Sequence, residues 1–287
     1  MKPTLLFYHI LRFFLSCGSL SRIKFYAYRF IATFLFFFYM LVSICMATYN
    51  GAKYIKEQMD SILSQRFKEN DNVELEIIVS DDGSTDDTIS ILESYHDSRI
   101  KIFHHKNYSK YKYFKANRLA SSNFENAITK ATGDYLFLAD QDDVWLPSKI
   151  DKSLSVLRKY GGLVATAFYF GDEKLKIGQK LIYEHRIPFF APKGMGIYGF
   201  CMGFSKDELK YYLPIPSHVA GHDKYFQYSA IWRKKLHLID EPCAIHRWSG
   251  VHNATSFGKN NVRPPLLVQV YFRLVTYASV IFRSLMR

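Results

Sequence analysis

At 287 residues, with 48% hydrophobic and 17% aromatic side chains, the chain is long and apolar enough to bury a sizeable core, which excludes a disordered or disulfide-stapled class. Net charge is +12 and the pI is about 9.3, which suits an anionic partner. Residues 1–39 and 256–287 each carry five Lys or Arg and no acid, so the middle is nearly neutral. A basic stripe across the folded domain is thereby excluded, and with it nucleic acid as the expected partner. Basic ends rich in aromatic and aliphatic residues point instead to an anionic membrane surface.

In chain order, Phe30 to Met40 is apolar, and Leu41 to Ala47 has the character of a strand. About 11 apolar residues then remain after Arg29, reaching roughly 16 Å, half the hydrocarbon thickness of a bilayer. Three readings of residues 1–39 stand: an interfacial helix, an upstream extension with Met40 as the true start, or a span. The spacing predicts a helix over Ala52–Ser64, with Ile55, Met59, Ile62 and Leu63 on one face. A strand follows over Val73–Ser80, then the polar loop Asp81–Asp87 and a helix through Tyr95. Next come a short strand, Arg99–Phe103, a basic aromatic stretch over 104–118, and a helix over Ser121–Ala131.

The unbroken apolar run Tyr135-Leu136-Phe137-Leu138-Ala139 reads as a strand buried on both faces, and it ends in Asp140-Gln141-Asp142-Asp143. Pro147 opens the next helix. Three like charges at a strand's carboxyl end repel one another unless a cation sits among them; a hard divalent ion completed by a phosphate is the natural candidate. An acidic cap for the following helix is the plainer alternative. Beyond it, Leu163–Phe170 reads as a strand, 192–200 as a Gly-rich loop, Lys224–Lys234 as a helix and Leu236–Ile239 as a strand. After Pro264-Pro265, Leu266–Leu285 is an apolar segment studded with arginine, readable as an interfacial helix or as one packed on the core. Cys17, Cys45, Cys201 and Cys243 lack any paired spacing and read as reduced thiols of a cytosolic protein. Strands alternating with helices imply an α/β fold, a mostly parallel sheet with helices on both faces. The loops 48–51, 81–87 and 140–143 should share one edge of it.

Taken together, Val42–Gly51, Val79–Asp86, Asp140-Gln141-Asp142 and Gly221-His222-Asp223 resemble, in order and spacing, the family 2 glycosyltransferases of the GT-A fold. The local form Ala139–Trp145 is similar to the rhamnosyltransferase-like branch that builds bacterial cell-surface polysaccharides such as O-antigen.

The resemblance implies an inverting, metal-dependent transfer of a sugar, rhamnose or another hexose, from a nucleotide-diphosphate sugar to a lipid-linked or glycan hydroxyl. It makes Asp140-Gln141-Asp142 the DXD motif. Asp142 and Asp140 would bind Mg²⁺ or Mn²⁺, assisted by Asp143, with Asp140 and Gln141 also meeting the donor. Thr48, Tyr49 and Asn50 would wrap the base, and Asp81 and Asp82 would accept hydrogen bonds from base and ribose. Asp223 would be the catalytic base, its alternative role being to cap the helix after it.

The branch's closing Arg-x-His-x-x-Asn pattern is altered here, since His252 stands beside Asn253. The metal role of His252 rests on that altered match. The expected organisation is a basic extension (1–39), the transferase domain (40–260) and a basic amphipathic helix (261–287). Its expected place is the cytoplasmic face of the cell membrane, held peripherally. A catalytically inactive donor-binding or scaffold protein of the same fold is the alternative.

Overall fold

The computed structural model describes residues 40–68, 72–107, 113–183, 196–248 and 264–287. Expectations that fall on 1–39, His252 and Asn253 lie outside the described residues. Leu41–Asp71 and Leu75–Arg287 form one unit; of the other, the described residues are Met40 and Asn72–Glu74.

The first half alternates strands and helices. Strand β1 (Met40–Thr48) leads to helix α1 (Ile55–Leu63), β2 (Val73–Asp81), α2 (Thr88–Glu93), β3 (Ile100–His104), α3 (Lys115–Lys130) and β4 (Tyr135–Asp140). The interiors of β1 and β4 are buried runs, Val42–Met46 and Leu136–Ala139, as strands covered on both faces must be. Ile55, Met59 and Ile62, spaced four and three apart, turn one face of α1 inward. Helix α3 begins six residues before the expected Ser121, taking in the end of the basic aromatic stretch.

The strand order β3-β2-β1-β4 places β1 in the middle, with successive crossovers leaving it on opposite sides. The crevice at such a switch point lies beyond the carboxyl ends of the two strands concerned, here β1 and β4. They run parallel with Ala47 opposite Asp140, so Thr48–Gly51 and Gln141–Asp143 emerge side by side. At the opposite, amino-terminal ends of these strands, buried Glu76 of β2 ties β1 to the turn before β4. Its Oε1 accepts from Ser43 Oγ (2.7 Å) and Thr132 N (2.6 Å), and its Oε2 from Lys101 Nζ (2.8 Å).

The second half holds β5 (Val144–Trp145), α4 (Lys149–Tyr160), β6 (Leu163–Gly171), β7 (Ile177–Leu181) and β8 (Met202–Ser205). It continues through α5 (Leu209–Tyr212), α6 (His222–Trp232), β9 (Leu236–Arg247) and α7 (Leu266–Leu285). The sheet carries on as β4-β8-β6-β9-β5, with β7 on β6. Here β8 is antiparallel to both β4 and β6, and β5 to β9, while β6 and β9 run parallel, so the second half is mixed where the first four strands are parallel. Two elements depart from the expected boundaries with consequences for the site. The stretch expected as loop through residue 200 turns at Gly199–Cys201 straight into β8. Strand β9, expected to stop at Ile239, continues to Arg247 and pairs Ile245 with Val144 and Ala244 with Trp145. That pairing carries the end of β9 behind Asp142 and Asp143.

Candidate functional site

Two loops at the crevice are laced together. Asn50 sits in the left-handed region (φ 47°), its N donating to Ser84 Oγ (2.9 Å) and its Oδ1 accepting from Thr85 N (2.8 Å). Asp81 is buried, and both its oxygens are engaged in shaping the loop. Oδ1 accepts from Thr48 Oγ1 (2.9 Å) and Ser84 Oγ (2.5 Å), and Oδ2 from Gly83 N (3.0 Å) and Ser84 N (2.8 Å). Asp82 pairs with His105 Nδ1 (2.6 Å) and accepts from Asn107 Nδ2 (2.7 Å). Burial lifts its pKa, and the two partners only partly oppose the rise.

A third loop joins them through Gln141. Its Oε1 accepts from Tyr49 N (2.9 Å) and its Nε2 donates to Tyr49 O (3.0 Å), so the side-chain amide pairs with a backbone as a strand would. Gly51 is required beneath it, since a Cβ there would lie 2.3 Å from Gln141 Oε1. The Tyr49 ring is left 57% exposed at the mouth of the crevice.

The acids carry the unusual electrostatics. Asp140 lies at the end of β4, and burial, then the charges of Asp143 and Asp142, push its pKa well above the carboxylate range. Asp142 is pushed up to about 7, by burial first and by Asp143 second. Asp223, in the first turn of α6, adds to the rise at Asp140, so the expected base and the expected metal ligands share one field. Its Oδ1 accepts from Lys224 N (2.7 Å), the next residue, while the cap position is Gly221 and no side chain caps the helix. Beside it His222 is buried, and burial lowers its pKa. Its backbone N donates to Ser121 Oγ (2.8 Å), and Gly199 passes close to its Nε2.

Sequence reasoning missed the groups behind the acids. Asp143 is fully buried, its Oδ1 facing His246 Nδ1 (2.7 Å) and accepting from Arg247 N (3.1 Å). Burial pulls the His246 pKa down, but the carboxylates of Asp143, Asp140 and Asp142 outweigh it and the net shift is upward. Arg247, 2% exposed, donates Nε to Asp142 O (3.0 Å) and also reaches Glu57 and the Glu173 carbonyl. Its guanidinium lies 4.4 Å from the centre of the Tyr54 ring. Lys149, fully buried in the first turn of α4, donates to Thr166 Oγ1 (3.0 Å) and lies 5.0 Å from the Trp145 ring centre. Its pKa is lowered by burial, against the charges of Cys201, Cys243 and Asp143. The available signal was the adjacency of His246 to Arg247 at the end of a possible strand, which the pattern drawn through His252 obscured.

A crevice at the β1/β4 switch point is flanked by two laced loops and an acid triplet, of which Asp143 is buried and Asp140 and Asp142 are half-buried. The sequence profile described as Glycosyl transferase family 2 covers residues 43–213. The chain belongs to this family. An uncharacterized glycosyltransferase of Rickettsia typhi is 32% identical over 201 residues, 70% of this chain and 54% of that one. Another, from Rickettsia bellii, is 34% identical over 151 residues, 52% of this chain and 19% of that one. The family 2 chain thus spans from about a fifth to about half the length of these curated relatives. Among solved structures it is similar to S. aureus TarS in complex with UDP-GlcNAc. The TM-score is 0.60 at 16% identity, over 85% of this chain and 72% of that one. That likeness shows the GT-A fold.

Proposed function

We propose that this family 2 member is an inverting, metal-dependent glycosyltransferase that uses a nucleotide-diphosphate sugar. Its acceptor is a lipid-linked or polysaccharide hydroxyl of cell-surface assembly, met at the inner face of the cell membrane. The observation that carries the reading is the placing of Asp140 and Asp142 at the carboxyl end of β4, where burial and the Asp143 charge raise both and Asp223 adds to the rise at Asp140. UDP and UDP-GlcNAc complexes of the structurally similar TarS support the donor class. The local sequence 139–145 favours rhamnose or another hexose as the sugar.

An all-oxygen pair of half-buried carboxylates, Asp140 and Asp142, fits a hard divalent cation, Mg²⁺ or Mn²⁺. Among the described residues no group of three or more His, Cys, Asp or Glu is gathered to hold an ion. Asp142 and Asp140 would hold the ion, with the donor diphosphate supplying further oxygens. When bound, the cation neutralises charge developing on the departing diphosphate. Tyr49 and Asn50, held by Gln141 and the 84–85 loop, cradle the base, while Thr48 and Asp81 brace that loop and Asp82 faces the ribose. Asp223 accepts the proton of the acceptor hydroxyl as it attacks the anomeric carbon. A single displacement inverts that carbon, since no second carboxylate is assigned as nucleophile.

The test is release of nucleoside diphosphate from a panel of nucleotide sugars supplied with Mn²⁺ and lipid-linked acceptor, with and without chelator. Release that stops in chelator and in Asp142→Asn is expected. Full release in excess chelator, or none with any donor, would sink the reading, the second outcome favouring an inactive binding protein.

A further inference from the structure

Helix α7 has two unlike faces. It is 20 residues long, roughly 30 Å at 1.5 Å per residue. The inner face buries Thr276, Tyr277 and Val280. Tyr277 lies 4.6 Å from Tyr228 of α6 between ring centres, and the Arg283 guanidinium lies 5.7 Å from the Tyr225 ring. Ser279 Oγ is 2.7 Å from His218 Nε2, and Phe272 meets Phe114 edge-on at 5.1 Å. The outer face carries Leu267, Tyr271, Leu274, Ala278, Phe282 and Leu285, three and four residues apart and all exposed, Leu267 at 82% and Leu285 at 78%. A continuous apolar stripe of this length on a folded surface marks an interaction site.

We propose that the outer face of α7 docks on an anionic lipid bilayer, lying in its surface plane. Charge selects this occupant. Residues 256–287 hold five Lys or Arg and no acid, and Arg273 on α7 and Arg287 just beyond it are exposed. A second copy pressed to the same face would bring these like charges together, whereas anionic headgroups neutralise them. The packed inner face excludes a spanning arrangement, because crossing the bilayer would tear Ser279, Tyr277 and Arg283 from the domain and place them in hydrocarbon. The docking rests on the transferase reading only for its purpose. Helix α6, which α7 packs against, opens with His222 and Asp223, so docking sets the proposed base at a fixed height above a lipid-borne acceptor.

The experiment is co-sedimentation of the full chain with vesicles of neutral phosphatidylcholine, alone or with anionic phosphatidylglycerol. The parent is compared with Leu274→Asp/Phe282→Asp, both positions being more than half exposed and outside the site. Binding of the parent to anionic vesicles, weakened by salt, and at least tenfold loss in the variant at an unchanged melting temperature are expected. The proposal is overturned if the parent ignores anionic vesicles, if the variant binds as the parent does, or if the parent is a dimer in solution that the variant dissociates. A variant that melts early is replaced by Leu267→Asp/Leu285→Asp, at the two most exposed positions, and read by the same outcomes. UDP binding in the presence of Mn²⁺, followed in parallel by thermal shift, tests the transferase reading and leaves the vesicle result untouched.

Discussion

Replacing Asp142 by Asn should stabilise the metal-free protein while abolishing its response to metal. The carboxyl's pKa rises from 3.8 to about 7 on folding, through burial and the neighbouring Asp143 charge. The folded state therefore holds a proton that the unfolded state has released between about pH 4 and pH 7, so stability falls as pH rises through that window. Above it the whole shift is felt as a cost, on the order of 4 kcal/mol at 1.36 kcal/mol per pH unit. Asn carries no charge and escapes that cost. At pH 8 without metal the variant should melt several degrees above the parent, given about 2 °C or more per kcal/mol in a protein of this size. Below pH 4 the two should converge. Mn²⁺ with UDP should close that gap for the parent and leave the variant unmoved, since a ligand at a thousand times its Kd adds about 4.1 kcal/mol to the state that binds it. The assay is a set of thermal scans at pH 4, 6 and 8, with chelator or with Mn²⁺ and UDP. A variant less stable than the parent in chelator at pH 8, or a parent whose melting temperature does not fall from pH 4 to 8, would refute the picture of a repulsive site.

Asp223→Asn should still bind UDP with Mn²⁺ by calorimetry but transfer about 10²–10⁴-fold more slowly, the usual cost of a lost general base; transfer at the parental rate would move the base elsewhere. Gln141→Ala removes the two bonds that hold Tyr49, together worth about 1–3 kcal/mol, and should weaken UDP binding about tenfold without unfolding the chain. Unchanged affinity would show that the loop keeps its shape unaided. Glu76 is held down to about 2 on folding, its hydrogen bonds to Lys101, Ser43 and Thr132 overcoming burial. That stabilisation, about 3 kcal/mol from the shift, is present above pH 4.5 and lost as pH falls towards 2. Glu76→Gln should accordingly lower the urea midpoint at pH 7 and flatten its fall towards pH 3; an unchanged midpoint at pH 7 would refute this.

The sequence by itself determined the nucleotide-binding half. Buried parallel strands must be unbroken apolar runs, so β1 and β4 stood out, and the loops that follow them had to share the carboxyl edge. The positions of Thr48–Asn50, Asp81–Asp82 and Asp140–Asp142 follow from that rule alone. It could not tell how these side chains divide their work, because Asp81's engagement with Thr48 and Ser84 depends on contacts more than 30 residues apart in one direction and three in the other. The mixed half was decided by tertiary structure. Strand β8 is too short and glycine-bearing to show a period, and β9 bends through register shifts against β6 before it reaches β5. Only that long-range pairing brings His246 and Arg247, a hundred residues away, against Asp143 and Asp142. The same limit applies to α7: an apolar segment studded with arginine announced an amphipathic helix, but which face the domain covers was fixed by packing on α6, where Tyr277 turns inward against Tyr228.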